Sequence, residues 1–309
     1  GEELQCKKWI CLNTGSLFSL PLAFFKFRKL VREEKPGLVH SHLFWPTFVA
    51  RFSLPAKIPL ITTIHAFIAT SVEYKHWYIR FLDKLSYRFR KSIIIVVAKG
   101  ALDEYFSFLR LKPYKAYTLY TFVDIERFNA GQVQAPKDPG TFKLVAVGAL
   151  RLQKNYHYII NAMALIKDKN IELDIYGTGN LKDELQQQIR ATGAKVFLKG
   201  EVNNIEQVIP QYQLFVMSST FEGFSLGVLE AMAMRKAIVS TTLGAEGFAV
   251  TSGREMALAD TPQAFARAVV ELLQDAGRRR AMGAHAHEFV SAAYDWRAIV
   301  PKLEAIYRA

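Results

Sequence analysis

The sequence predicts an α/β protein built from two doubly wound domains, each a parallel sheet between two layers of helices. Three observations support this fold class. The second half of the 309-residue chain alternates strands and helices with short connections. The first half repeats that alternation less regularly, and the length suits roughly two domains. Between the halves, Gly131, Pro136, Pro139 and Gly140 form a cluster that is typical of a connection.

The first half is predicted to alternate helices and strands, because apolar residues recur there at helical spacing or in short β-branched runs. Helices are expected over residues 22–33, 46–52, 74–90 and 100–108, and strands over residues 38–41, 60–64, 92–98 and 116–120. Two of these helices, the first and the third, are strongly basic.

The second half has the clearer pattern, with strands expected over residues 142–147, 171–176, 196–199, 214–217 and 237–240. Helices are expected over residues 181–190, 205–212 and 225–234, around residues 159–166, near Phe265, Val269 and Leu272, and last around Trp296, Ile299, Leu303 and Ile306. Doubly wound sheets bind ligands beyond the carboxyl ends of their strands. The loops that follow the strands are therefore the candidate site.

The predicted domains are residues 1–128 and residues 129–293. A final helix, at about residues 294–309, is expected to pack back on the first domain. If both sheets turn the carboxyl ends of their strands toward one cleft, ligands would bind between them.

Composition excludes several classes of protein. The chain is 50% hydrophobic and 22% charged, which argues against a disordered chain. Cys6 and Cys11 have no second pair and no nearby histidine, so two reduced thiols are expected rather than a zinc site or a disulfide framework. The longest apolar run, residues 93–98, is far shorter than a membrane span, and no signal peptide is recognised. Because the sequence begins Gly1-Glu2-Glu3, we expect the chain to start inside a longer protein.

The positive charge is concentrated in the first half. Residues 1–125 hold 19 Lys and Arg against 9 Asp and Glu, and the remaining residues hold 21 against 19. Such asymmetry favours an anionic partner, and nucleic acid, a membrane surface and a phosphate-bearing substrate all qualify. No recognised nucleic-acid module accompanies the charge, so no nucleic-acid partner is predicted.

The basic helix near residue 80 also carries many aromatic side chains. They are Tyr74, Trp77, Tyr78, Phe81 and Phe89, interleaved with Lys75, Arg80, Lys84, Arg88, Arg90 and Lys91. One interpretation is a packed helix with a solvated basic face. The other is a surface that rests on an anionic cytoplasmic leaflet, to which the aromatic and basic residues 24–29 would add.

The most informative segment is residues 218–241, SSTFEGFSLGVLEAMAMRKAIVST. Glu230 lies in a helix among apolar residues, where a carboxylate is costly unless it is hydrogen-bonded, and the two hydroxyls of a ribose could do this. Gly223 allows a sharp turn ahead of the helix. The helix begins near Ser225, where free backbone amides can hold phosphate. With Glu222 available for a sugar, the segment suits a nucleotide-diphosphate sugar.

The motif EGFSLGVLEAMA resembles the signature of retaining glycosyltransferases of the GT-B fold, family 4 (glycosyl transferases group 1), with two glutamates separated by seven residues. Other segments resemble the family in order and spacing: VAVGALRLQKNYHYIINA, LDIYGTGNLKDEL, LVHSH, TTIH and YTFVDIERF. The resemblance covers the chain from about residue 20. It implies two Rossmann-like domains that face each other across a cleft.

The resemblance also implies the site residues. The donor-binding set would be Gly148, Arg151, Lys154, Gly177, Gly179, Glu222, Gly223, Phe224, Ser225, Leu226 and Glu230. Glu230 would bind the ribose hydroxyls, and Glu222 would contact the transferred sugar. Lys154 would neutralise diphosphate charge as the leaving group departs. His65 would lie at the donor sugar, so the catalytic residues would be His65, Glu222 and Lys154, with His42 on the acceptor side.

The chain departs from the family at three places. The family commonly has arginine at the position of Ala149, and Arg151 is one candidate to replace it. Gly and Pro are common at the positions of Arg235 and Ala237. The N-terminal strand and Gly-rich loop of the family are not recognised, so the first domain is expected to be truncated at its start.

Structural explanations compete with these roles. His65 could be a satisfied core residue, Glu230 could occupy an exposed helix position, and Gly177-Thr178-Gly179 could be only a tight turn. His40 shares a face with His42 in a strand and is expected to pack inside. No Asp-x-Asp occurs, so no essential metal and no cofactor besides the donor substrate are predicted.

The predicted function is transfer of a hexose or N-acetylhexosamine from a UDP- or GDP-linked sugar to a glycan or lipid-linked acceptor, with retention. Such an enzyme would serve bacterial surface polysaccharide synthesis (O-antigen, capsule or exopolysaccharide). It would be cytoplasmic and peripheral on the inner face of the cytoplasmic membrane. The alternative is a non-catalytic glycosyltransferase-like subunit that binds a partner or a membrane.

Overall fold

The computed structural model describes residue 10 and residues 19–65, 73–128, 140–220 and 224–308. The chain forms two compact units, Gly1–Leu119 and Tyr120–Ala309. The division falls nine residues before the predicted boundary after Phe128, because the connection from Tyr120 onward packs with the second unit.

The first unit is a four-stranded parallel sheet in the order β1-β2-β3-β4 with helices between the strands. Its elements are α1 (Leu20–Glu34), β1 (Val39–His42), α2 (Phe44–Ser53), β2 (Leu60–Ile64), α3 (Trp77–Phe89), β3 (Ile93–Val96), α4 (Lys99–Leu109) and β4 (Lys115–Thr118). Every predicted element of this half is present. Residues 73–75 form a separate 3-10 turn, so α3 begins three residues later than predicted.

The second unit is a six-stranded sheet in the order β10-β9-β8-β5-β6-β7, and all its neighbours are parallel. Its elements are β5 (Phe142–Val147), α5 (Tyr156–Ala164), β6 (Ile171–Tyr176), α6 (Lys182–Thr192), β7 (Val196–Gly200), α7 (Ile205–Val208), β8 (Leu214–Met217), α8 (Leu226–Ala233), β9 (Ala237–Ser240), β10 (Ala257–Leu258), α9 (Pro262–Gln274), α10 (Ala276–Ala293) and α11 (Trp296–Arg308). Strand order reverses between β5 and β8, which makes a doubly wound sheet with a switch point. Strand β10 was not predicted.

Both faces of the second sheet are covered by apolar side chains. Leu144 and Ala146 of β5 join one core cluster with α5, α6 and α9, while Val145 joins the other with α8 and α10. Alternate residues of a strand point to opposite faces, so a run such as FKLVAV is apolar on both. The sheet is thereby held rigid beneath the loops that follow its strands.

The connection between the units is tied to the start of α11. Val123 forms a parallel bridge with Asp295 and accepts a hydrogen bond from the amide of Trp296 at 3.2 Å. The Arg297 guanidinium binds Asp295 Oδ1 at 2.8 Å and Glu126 Oε1 at 2.7 Å. Helix α11 belongs to the second unit, and its packing on the first domain stays a prediction.

Within the described ranges, no helix combines the length and the apolar character needed to cross a bilayer.

Candidate active site

Three loops of the second unit meet at the switch point, where β5, β6 and β8 end. The amide of Gly148 donates to the carbonyl of Tyr176 at 2.9 Å, and the amide of Leu150 donates to the carbonyl of Thr178 at 2.9 Å. The hydroxyl of Ser218 donates to the carbonyl of Lys154 at 2.8 Å. The loops after the three strands are therefore joined into one surface.

Glycines are required where these loops touch. Gly148 has φ +153°, and a Cβ there would lie 2.9 Å from Lys154 Cε and 3.1 Å from the Tyr156 hydroxyl. A Cβ on Gly177 or Gly179 would collide with the carbonyls of Gly148 and Leu150. The tight-turn interpretation of Gly177-Thr178-Gly179 therefore has a structural basis, since close backbone approach alone demands glycine.

Two cations belong to the loop after β5. Lys154 is half-buried, and its side chain extends over Gly148. Arg151 is exposed, and its amide donates to the carbonyl of Ala149 at 2.8 Å. The loop thus places one lysine beside the predicted phosphate-binding backbone and leaves Arg151 at the surface.

Helix α8 begins at the same edge of the sheet. Its N-cap residue Ser225 is 2% exposed, and among the described residues its hydroxyl has no hydrogen-bond partner. The Phe224 ring packs against Tyr120, Phe248 and Tyr294, with ring centroids 4.3–5.3 Å apart. A buried hydroxyl beside the first amides of a helix is an arrangement that can hold an anion.

Glu230 lies one turn into α8 and is half-buried. Burial raises the pKa of its carboxyl to about 7, Arg127 opposes that rise, and Glu206 adds to it. Arg127 Nη2 and Glu206 Oε2 form an ion pair at 3.4 Å. Sequence reasoning missed Arg127 and Glu206, although YTFVDIERF had been singled out, because no spacing links the connection to α7.

Glu222 and Gly223 lie outside the described residues, so their predicted roles in sugar contact and turning remain predictions.

Histidines mark the ends of two neighbouring strands in the first unit. His42 is the last residue of β1, and His65 follows β2. His42 Nδ1 and His65 Nε2 lie 2.8 Å apart, which is hydrogen-bond distance. Burial lowers the pKa of both imidazoles, and for His65 the charge of a protonated His42 adds to that lowering. The structure therefore brings these two predicted residues together.

His40 extends the same row. It is half-buried, its ring stacks on His42 with centroids 4.5 Å apart, and its Nε2 lies 2.7 Å from Thr63 Oγ1. Burial, His42 and His65 together lower the pKa of His40 to about 4. His40 was expected to pack inside the unit. It is only half-buried, and it contacts His42 of the predicted site directly.

Among the described residues, no group of three His, Cys, Asp or Glu side chains is arranged to hold a metal ion. The expected absence of an essential metal stays a prediction.

Two family models match the chain. "Glycosyltransferase Family 4" covers residues 5–127, and "Glycosyl transferases group 1" covers residues 141–275. The first match covers most of the first unit, and the second covers the six-stranded sheet of the second unit.

Named relatives are 26–29% identical to this chain over the aligned segments. An N-acetylgalactosamine-N,N'-diacetylbacillosaminyl-diphospho-undecaprenol 4-alpha-N-acetylgalactosaminyltransferase of Campylobacter jejuni is 28% identical over 77% of this chain and 66% of its own. A UDP-Gal:alpha-D-GlcNAc-diphosphoundecaprenol alpha-1,3-galactosyltransferase of Escherichia coli is 26% identical over 72% of this chain and 62% of its own. A D-inositol 3-phosphate glycosyltransferase of Corynebacterium urealyticum is 29% identical, and the match covers 60% of this chain and 49% of the relative. The matches thus span half to two thirds of these relatives.

Solved structures share the fold. Anabaena Alr3699/HepE in complex with UDP and glucose superposes with a TM-score of 0.80 at 19% identity, covering 98% of this chain and 84% of that one. Sucrose-phosphate synthase of Thermosynechococcus elongatus gives 0.80 at 18% identity, covering 97% and 80%. The predicted GT-B fold class is confirmed.

Proposed function

Because the chain belongs to the group 1 glycosyltransferases of the GT-B fold, we propose that it transfers a sugar from a nucleotide-diphosphate donor to a hydroxyl of a glycan or lipid-linked acceptor. The proposed donor is a UDP- or GDP-linked hexose or N-acetylhexosamine. The proposed pathway is bacterial surface polysaccharide synthesis.

One observation carries this proposal: the loop after β5 and helix α8, which border the switch point, together supply a lysine, a buried hydroxyl at a helix N-terminus and a half-buried carboxylate. These groups belong to Lys154, Ser225 and Glu230. Lys154 and the first amides of α8 would hold the diphosphate, with the hydroxyl of Ser225 as a further donor. Glu230 would accept hydrogen bonds from the ribose diol, which would repay the cost of burying its charge.

The proposed reaction retains anomeric configuration by a front-face displacement. The bond between the anomeric carbon and the diphosphate oxygen breaks, and the acceptor oxygen bonds to that carbon on the same face. The acceptor proton passes to the departing diphosphate oxygen. Lys154 and the helix amides would stabilise the charge that develops on this leaving group. Glu222 is assigned to the sugar hydroxyls, so a covalent adduct trapped on Glu222 would contradict this route and favour double displacement.

Names of the relatives support a lipid-linked acceptor. Both the Campylobacter and the Escherichia coli proteins are named for transfer to diphospho-undecaprenol-linked sugars. By extension, the acceptor of this chain would be presented at a membrane surface.

The surface of α3 supports a membrane-bound location. Its outer stripe, Trp77, Phe81, Leu85 and Phe89, repeats every four residues, and these side chains are 47–74% exposed. Rings of Phe52 and Phe89 stack at 4.7 Å, so the stripe continues onto α2. Basic residues flank it, which matches an anionic leaflet. We assign this surface to the inner face of the cytoplasmic membrane.

Vesicle flotation tests the membrane assignment. Trp77→Ser with Phe81→Ser should release the chain from vesicles that contain anionic lipid, whereas Phe197→Ser, which removes a 47% exposed ring in the second unit, should not. The membrane assignment would be wrong if the unaltered chain and both variants bound anionic vesicles equally. It would also be wrong if the unaltered chain bound neutral vesicles as well as anionic ones, and α3 would then be a solvated helix.

Calorimetric titration with UDP, GDP and ADP tests the donor site. One nucleotide should bind in the micromolar range, and Glu230→Ala should abolish that binding while Glu288→Ala on α10 should not. Absence of binding to all three, also in a chain extended at its N-terminus, would refute the assignment.

A non-catalytic subunit is the second candidate, and Ala149 favours it because the family commonly has arginine there. This candidate would be favoured if the chain bound a nucleotide but turned over no sugar donor, and if a chain extended at its N-terminus behaved in the same way.

A further inference from the structure

Three imidazole rings form a continuous row at the carboxyl end of the first sheet. His40 and His42 occupy alternate positions of β1 and therefore share a face. Ring centroids lie 4.5 Å apart for His40 and His42, and 5.1 Å apart for His42 and His65. The facing nitrogens, His42 Nδ1 and His65 Nε2, are 2.8 Å apart. Thr63 Oγ1 closes the row at 2.7 Å from His40 Nε2.

A hydrogen bond between two imidazoles restricts where their protons can be. A neutral imidazole has one N–H donor and one acceptor nitrogen. One proton must therefore lie between the facing nitrogens of His42 and His65. The outer nitrogens, His42 Nε2 and His65 Nδ1, then carry one proton between them. The neutral pair offers a ligand one donor and one acceptor, and a coupled shift of both protons exchanges the two.

We propose that His42 and His40 are positioning residues: His42 sets the tautomer and ring plane of His65 through this hydrogen bond, and His40 holds His42 by stacking. The inference rests on the proposed function and on the place that the family resemblance implies for His65, at the transferred sugar. A sugar hydroxyl is both donor and acceptor, so a pair that presents one group of each kind can satisfy it in either orientation.

The surroundings keep the pair uncharged near neutral pH. Burial lowers the pKa of all three histidines, and among the described residues the charges that act on them come from the same three rings. Residues 66–72, which follow His65, contain no titratable side chain. A proton added in acid would turn both outer nitrogens into donors and remove the acceptor.

Nitrogen-15 NMR of the whole chain tests the hydrogen bond without any need for activity. We expect a scalar coupling across the hydrogen bond between His42 Nδ1 and His65 Nε2 at neutral pH, and its loss in His42→Phe. Absence of that coupling in the unaltered, folded chain would overturn the proposal.

Matched variants test the role. His42→Phe keeps a stacked ring but removes the hydrogen bond, and His42→Asn keeps a polar group near the position of Nδ1. We expect kcat to fall about 10-fold or more in His42→Phe, with the KM for the donor little changed, and to recover in part in His42→Asn. The acid limb of the pH profile should also move to higher pH in His42→Phe, because His65 loses a neighbour that lowers its pKa.

His285→Gln serves as the control, since this residue lies on α10 of the other unit. Equal kcat and an equal pH profile in His42→Phe and His285→Gln, with the coupling present, would overturn the positioning role. If no donor is turned over at all, the proposed function fails, and the NMR result still decides whether the pair exists.

Discussion

The two units of this chain share one architecture but fill their interiors with different chemistry. Second-unit strands are lined by apolar side chains such as Leu144, Val145 and Ile175, each wholly buried. The first-unit strands also bury apolar side chains such as Ile94, but between α2 and α3 this unit adds a buried ion pair, in which Arg51 Nη1 lies 2.5 Å from Asp83 Oδ1. A buried polar network can thus accompany an apolar core, provided that the network is complete.

The network around Asp83 is nearly complete. Hydroxyls of Tyr74 and Tyr105 donate to Asp83 Oδ2 at 2.5 and 3.0 Å, and Arg51 donates to the Ser86 hydroxyl at 3.0 Å. Among the described residues, only the Nε of Arg51 within this group has no partner. The network unites three helices of the first unit, so it sets their relative positions where the apolar clusters are small.

The carboxyl ends of the strands differ in the same way. In the first unit they carry imidazoles, which suit neutral hydroxyls. In the second they carry glycines, Lys154 and a helix N-terminus, which suit phosphates. The same edge of a parallel sheet therefore offers groups suited to ligands of different charge, according to the residues that follow the strands.

Breaking the ion pair should give the largest effect. Asp83→Ala leaves Arg51 charged and buried, so we expect the first unit to lose about 3–5 kcal/mol of stability. Urea unfolding, followed separately for the two units, measures this loss. The control is Asp103→Ala on the exposed side of α4, which should change the free energy of unfolding by less than about 0.5 kcal/mol. A double replacement, Arg51→Met with Asp83→Leu, should recover most of the loss. Equal losses in the single and double variants would show that volume rather than charge matters there.

Glu230 should make the second unit sensitive to pH. In the folded chain the pKa of Glu230 is about 7, whereas an unburied glutamate has a pKa of 4.5, so the stability of the unit falls as pH rises between those values. Glu230→Gln should therefore stabilise the unit above pH 7, on the order of 1–2 kcal/mol after allowance for partial exposure, and weaken nucleotide binding. Melting curves at pH 5 and pH 8 measure the first effect. Identical curves for the variant and the unaltered chain would contradict the burial of this charge.

Gly148→Ala should weaken the donor site by about 1–2 kcal/mol, because a side chain at this position strains a sparsely populated backbone conformation. Its Cβ would meet Lys154 Cε and the backbone has positive φ, so both the loop and the lysine must shift. Calorimetry with the nucleotide that binds measures the affinity. Gly37→Ala is the control, because a Cβ there meets nothing within 4 Å. Equal nucleotide affinities in the two variants would show that the donor site does not need a glycine at position 148.

The smallest changes are expected when the two charged residues that act on Glu230, Arg127 and Glu206, are replaced one at a time. Nucleotide affinity should rise with pH through about 7, because in the proposed function the ionised carboxylate of Glu230 accepts hydrogen bonds from the ribose hydroxyls. Arg127→Gln should move this rise to higher pH and Glu206→Gln should move it to lower pH, each by a fraction of a pH unit. Shifts of the same sign in both variants would mean that these residues act through structure rather than charge.

Much of this architecture follows from local patterns. Strands β2, β5, β6, β8 and β9 begin and end where apolar, β-branched runs predicted. Strand β10 was missed, since two residues, Ala257 and Leu258, are too few to show a period. The 3-10 turn at residues 73–75 was merged into α3 because its side chains continue the helical spacing.

Local sequence patterns are enough to predict the alternation of elements, the excess of charge in the first half and the motif that contains Glu230, because each depends on neighbours a few residues apart. Which distant residues come into contact is visible only in the folded chain. Arg51 and Asp83 are 32 positions apart, His42 and His65 are 23 apart, and Arg127 and Glu206 are 79 apart. No spacing rule links such pairs, since their contact depends on how strands and helices pack and on which buried groups need a partner.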